Sequence, residues 1–131
     1  MTTVAPEPDR YRVALDYYEI GLSVWMMLLG LWRWALIVGL SSSAFLAMSD
    51  AGKVATMFLA AADLVAAVGV WMRVAWGRVI FVAAAAIEVA LHTAFIAVYG
   101  AAWPLVVIHV LLLLLYAGLA LLARRQPANT A

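Results

Sequence analysis

The chain contains no cysteine, which removes disulfides, thiolate metal ligands and thiol nucleophiles together. Charge is almost as scarce: 11% of the residues are charged, against 69% hydrophobic. That balance lies far outside the range of a soluble domain. A length of 131 residues gives room for one domain. A single core of that size does not hide so much apolar surface, and the exposed remainder would aggregate in water. The bilayer is the natural solvent. The net charge is +1 and the eight basic residues are scattered rather than gathered into a patch, which argues against nucleic acid as a partner. There is no phosphate-cradling glycine loop, and no serine lies within a span beside a histidine. Enzyme is therefore the minority reading.

What is present is long apolar sequence. Hydropathy divides the chain into four segments at about 11–40, 54–72, 79–99 and 104–123, each near the roughly 20 residues a helix needs to cross hydrocarbon. Backbone groups in hydrocarbon must be satisfied internally, and the segments lack the alternation of a membrane barrel, so helices are required. The expected fold is an all-α, polytopic membrane protein: an antiparallel bundle of four transmembrane helices over 11–123, between a polar tail at 1–10 and a C-terminal tail at 124–131. The start, "MTTVAPEPDRYR", lacks the pattern of a cleaved secretory signal, and Pro6 and Pro8 discourage a helix there. The first apolar segment is too long for a signal core and is expected to stay attached as a signal-anchor. Asp16 and Glu19 are expected at its lower end in the headgroup region, with Arg12 and Asp16 spaced for an ion pair.

Short connections fix the order of the rest. "MRVAWGR" (72–78) reads as a tight turn between the second and third helices, and "GAAWP" (100–104) as one between the third and fourth. "SSSAFLAMSDAGK" is longer, with room for a short interfacial helix. Four crossings put both termini on the side of Arg10, Arg12, Arg73, Arg78, Arg124 and Arg125, and the positive-inside rule makes that side the cytoplasm. Trp71 and Trp76 inside, with Trp32, Trp34 and Trp103 outside, read as aromatic belts. Small residues allow close approach in lipid, so Ala60–Ala62, Ala66, Ala67 and Gly69 with Ala83–Ala86 and Ala90 mark the second and third helices as the close-packed centre.

Against this background the intramembrane polar residues stand out. Placed by rise per residue, Asp63 and Glu88 fall near the middle of their helices, His92 lies one turn above Glu88, His109 enters below the outer end of the fourth helix, and Arg33 lies near the outer end of the first. A lone charge near the bilayer centre costs roughly 2.5–3.5 kcal/mol on insertion scales, so such groups pair, neutralise or face a wet cavity. Glu88 and His92 share one helical face. Two carboxylates at like depth do not both ionise without a nearby cation, and Arg33 is the candidate, unless it snorkels to the outer headgroups. Tyr116 shares a face with His109, and Arg33, Asp63, Glu88, His92, His109 and Tyr116 are expected to form one intramembrane polar cluster. Two readings stay open: a structural network fixing helix register, or a site for a proton path, a metal, haem or a quinone. His92, His109 and Glu88 are the candidate metal ligands, of a type suited to zinc or iron, although their spacing matches no metal signature.

Three stretches, "WALIVGL" (34–40), "VAAVGVWMRVAWGRVIFVAAAAIE" (65–88) and "VVIHVLLLLLYAGL" (106–119), resemble a family of small four-helix bacterial inner-membrane proteins classed as a domain of unknown function. The resemblance rests on the Trp76–Gly77 pair, on Glu88, and on His109 followed seven residues later by Tyr116. The family pattern carries an arginine shortly after the first-span tryptophan; here Leu36 stands there and Arg33 lies one turn earlier. The resemblance implies a fold and a membrane but no activity. The architecture alone also resembles the quinone-linked DoxX-like bundles, a likeness that does not carry function. The expected role is a non-catalytic accessory or assembly component of an inner-membrane or envelope complex, with the bilayer and another membrane protein or a second copy as partners, and no cofactor. The alternatives are a redox or proton-handling protein binding haem, metal or quinone at the polar cluster, and a small oligomeric transporter subunit.

Overall fold

A computed structural model describes residues 9–125, and among them there is no strand. Six helices follow one another: α1 (Arg10–Ile37), α2 (Ala44–Ala47), α3 (Asp50–Trp71), α4 (Ala75–Thr93), α5 (Ile96–Tyr99) and α6 (Trp103–Arg125). The four long ones are long and apolar enough to cross a membrane. At about 1.5 Å per residue the shortest, α4 with 19 residues, covers about 28 Å and the longest, α1 with 28 residues, about 42 Å. The expected tails at 1–8 and 126–131 lie outside the described residues.

Helix ends follow local chemistry. The Asp9 carboxylate accepts from the Tyr11 N–H before α1, and the Ser49 hydroxyl accepts from the Gly52 N–H at the start of α3. α1 ends in a Schellman turn, with Leu40 N bonded to Ala35 O, Gly39 N to Leu36 O, and Gly39 left-handed at φ 77°. α3 ends the same way through Val74 N to Gly69 O and Arg73 N to Val70 O, but the left-handed residue is Arg73 at φ 57°. An L-residue there costs about 1–2 kcal/mol. Arg73 offsets part of this through its ion pair with Asp16 at 3.3 Å.

Two boundaries differ from the sequence reading. Trp76 and Gly77 belong to the first turn of α4, so the connection between α3 and α4 is only Met72–Val74. The third apolar segment does not run unbroken to residue 99. The Thr93 hydroxyl bonds the Val89 carbonyl at 2.6 Å, and Phe95 N reaches back to Ala90 O, five residues away. Such side-chain and long-turn bonds bend and stop helices, and the chain restarts as the four-residue α5.

Neighbouring contacts close a ring in the order α1, α3, α4, α6 and back to α1. Consecutive members run antiparallel. The buried core comprises Leu22 and Met26 of α1, Ala66, Ala67 and Val70 of α3, and Phe81, Ala84 and Ala85 of α4. The most extensive contact is α1 with α3, rather than α3 with α4 as the alanine pattern suggests. Gly30 sits within that contact. A Cβ built there lies 2.8 Å from the Leu64 side chain and 3.3 Å from the Asp63 Cβ, so α1 meets α3 closely where it carries no side chain. The alanines serve more than one partner: Ala60, Ala66 and Ala67 are buried, but Ala61, Ala83 and Ala86 face outward.

The hairpin itself closes on a second glycine contact. Gly69 and Gly77 lie backbone against backbone, so a Cβ on Gly77 runs into the Gly69 main chain, whereas Gly118 has nothing within 4 Å of its Cβ position. Gly77→Ala is expected to destabilise the fold by about 1–3 kcal/mol through overpacking. Gly118→Ala is expected to be neutral or stabilising by up to about 1 kcal/mol. Thermal melts of the detergent-solubilised proteins check this ordering.

Candidate functional site

The bundle has two polar levels. The upper one lies toward the end where α1 finishes and α6 begins. Cβ atoms tilt toward a helix's own N-terminus, so Arg33 on α1 points down the bundle while Asp63 on the antiparallel α3 points up. They meet across the Gly30 gap. The guanidinium Nη1 donates to Asp63 Oδ2 and Nη2 donates to Glu88 Oε2 of α4. All three groups are buried, at 7%, 1% and 2% exposure, so Arg33 faces the bundle interior and does not snorkel.

His92 extends this group toward the surface. Its Nε2 lies 3.4 Å from Glu88 Oε1, and its Nδ1 lies 3.0 Å from the carbonyl of Gly100. A carbonyl only accepts, so Nδ1 carries the hydrogen. The imidazole thereby ties the end of α4 to the turn before α6. His109 is buried, its Nδ1 held 2.8 Å from the Leu105 carbonyl of its own helix. It is close enough to Glu88, Arg33 and His92 to interact with their charges. Tyr116 is not part of this level. It packs edge-on against Phe81 with ring centroids 5.9 Å apart, two turns and about 10 Å farther along α6 than His109.

Both His92 ring nitrogens face partners already, and one of them is turned onto Glu88 rather than toward His109. Among the described residues no three histidine, aspartate or glutamate side chains gather as a metal-binding set.

The lower level was not visible in the sequence reading. Glu19, expected among headgroups, is 1% exposed. It takes a bidentate pair from Arg78 of α4, Nε to Oε1 at 2.7 Å and Nη2 to Oε2 at 3.3 Å. The expected Arg12–Asp16 pair does not form: Arg12 turns back to Asp9 at 3.2 Å, and Asp16 crosses to Arg73. Beside them the Tyr18 hydroxyl donates to the Leu112 carbonyl of α6 at 2.5 Å. A signal for Glu19 was present: Glu19, Met26 and Arg33 are spaced by seven, on one seam of α1.

A cavity of about 380 Å³ opens beside the upper level. Arg33, Glu88 and His92 line it together with Trp32, Leu59 and Tyr99. Among known proteins, a family of unknown function (DUF6163) matches residues 13–127, nearly the whole chain. The chain belongs to DUF6163. No curated protein and no solved structure matches it. Within this DUF6163 member, Gly77, Glu88, His109 and Tyr116 all take identifiable places. Gly77 sits on the hairpin contact, Glu88 and His109 at the upper level, and Tyr116 in the aromatic seam. Leu36 lines the cavity wall, while the arginine one turn below it holds the two carboxylates.

Removing one member of a buried ion-paired group costs about 3–5 kcal/mol when an uncompensated charge is left behind. Arg33→Met leaves two carboxylates without their cation, whereas Asp63→Asn leaves Arg33 and Glu88 matched. Arg33→Met is therefore expected to lower thermal stability in detergent much more than Asp63→Asn. Adding Asp63→Asn and Glu88→Gln to Arg33→Met is expected to restore much of the loss.

Proposed function

We propose that the chain is an integral protein of the bacterial inner membrane, crossing it four times with both termini in the cytoplasm, and that it serves there as a non-catalytic accessory or assembly component. The orientation is supported by the arginines. Arg10, Arg12, Arg73, Arg78, Arg124 and Arg125 all sit at the end of the bundle that carries the termini. The other end has Lys53 alone, since Arg33 is turned inward. Lysines and arginines near the ends of short loops set orientation. Exposed tryptophans mark both ends, Trp71 and Trp76 at one and Trp32, Trp34 and Trp103 at the other, as expected for interfacial belts.

The accessory role rests on one observation, the sparse cover over α6. Only 11% of its apolar window is buried, against 28–39% in the other spans. Leu111, Leu114, Leu115, Leu121 and Leu122 face outward from it. The polar side chains meanwhile point inward onto one another, so the outer surface offers lipid or another transmembrane helix a largely apolar face. The second reading, a redox or proton-handling protein, draws on Glu88 and His92 at the cavity wall. A Soret band or stoichiometric metal in the purified protein would favour it.

Both parts of the proposal are testable in native membranes, and the absence of native cysteine makes labelling specific. A cysteine at the exposed Ser42 is expected to react with an impermeant maleimide in intact cells, and one at the exposed Ala75 only after lysis. The reverse pattern contradicts the orientation. Photo-cross-linking from Leu114 is expected to trap a membrane protein, either a second copy or another chain; adducts to lipid alone contradict the accessory role.

A further inference from the structure

The cavity beside the upper polar level has the size of a small-molecule site, since such pockets run about 300–1,000 Å³, and its lining combines charged with apolar side chains. Arg33, Glu88 and His92 line it together with Leu59, Leu91 and Leu105 and with Trp32 and Tyr99. The charges do not balance. Around Glu88 stand Arg33 from α1, Asp63 from α3, His92 from α4, Tyr99 from α5 and His109 from α6. Arg33 is the one permanent cation of this set, and it faces two carboxylates. The group needs one more positive charge to be neutral in a medium that penalises net charge. An anionic ligand makes this worse and a cationic one corrects it.

The geometry leaves a place for that charge. Arg33 occupies Oε2 of Glu88, while Oε1 faces His92 Nε2 at 3.4 Å, longer than the 2.7–2.9 Å typical of a charge-assisted bond. His92 is the outermost member, its side chain 18% exposed. We propose that this cavity binds a small organic cation, an ammonium with an aliphatic or aromatic body, using Glu88 as its counter-ion and the Trp32 ring as an apolar wall. The ammonium enters beside Oε1, where it supplies the positive charge that Arg33 alone does not. Trp32 adds cation–π attraction, and the leucines receive the ligand body. This inference goes beyond the accessory role and stands on the cavity alone. Cross-linking from α6 decides the one and titration of the cavity decides the other.

The test is calorimetric titration of the full-length, detergent-purified chain with benzyltrimethylammonium, with benzenesulfonate as the anion of like size and benzyl alcohol as the neutral control. Saturable binding is expected for the cation and none for the anion. Glu88→Gln is expected to weaken cation binding at least tenfold, and Trp32→Leu about threefold. Discrimination of the cation from the two control compounds needs no variant, so it decides even if Glu88→Gln does not fold. No saturable cation binding, equal binding of cation and control compounds, or undiminished binding by a folded Glu88→Gln protein overturns the proposal.

Discussion

A guanidinium buried in an apolar helix bundle has few places to put its charge, and in this protein it puts it on two carboxylates at once. Arg33 joins α1 to α3 through Asp63 and to α4 through Glu88. Ion pairing of this kind adds little net energy against a well-packed apolar core, because desolvation takes back most of the Coulomb attraction. Its effect is to exclude alternatives. A one-residue slip of α1 against the hairpin strands a charge in the interior, so the pairing fixes register where packing between leucines and alanines would tolerate several.

The same logic recurs at the other end of the seam. Glu19 stands two heptads before Arg33 on α1, about 21 Å away, and closes on Arg78 at the start of α4. The two pairs are opposite in sense: α1 presents a carboxylate at one end and a guanidinium at the other. Between them Leu22, Met26 and Gly30 make an uncharged contact surface. Glycines then determine how near the helices come. Gly30 lets α1 approach close enough for Arg33 to reach Asp63, and Gly69 against Gly77 holds α3 and α4 together at the hairpin.

Much of the fold was legible in the sequence because hydropathy, turn length and mid-span charge are all local signals. Depth alone marked Asp63 and Glu88 as needing a cation and Arg33 as the candidate, with snorkelling left open, and the structure brings the three together. What escaped detection depended on rotation about a helix axis rather than depth along it. Glu19 lies near a boundary where a solvated carboxylate is ordinary; only its heptad relation to Met26 and Arg33 marks it as inward-facing. Tyr116 shares a face with His109, but a shared face extends over two turns, and at that distance it meets Phe81 instead. The break after Thr93 was hidden because apolar composition continues through it, while what marks it is one hydroxyl bonded to the turn below and the long turn from Phe95 to Ala90.

The central claim is that Arg33 serves the two carboxylates and not the lipid headgroups. Solid-state NMR in bilayers measures this directly. With ¹⁵N-arginine and ¹³Cγ-aspartate labels, the dephasing that Asp63→Asn removes reports the Arg33–Asp63 contact. The account predicts a loss corresponding to a separation of about 4 Å or less, the range of an ion pair. No difference between wild type and Asp63→Asn, together with coupling of the Arg33 guanidinium to lipid ³¹P, would contradict it.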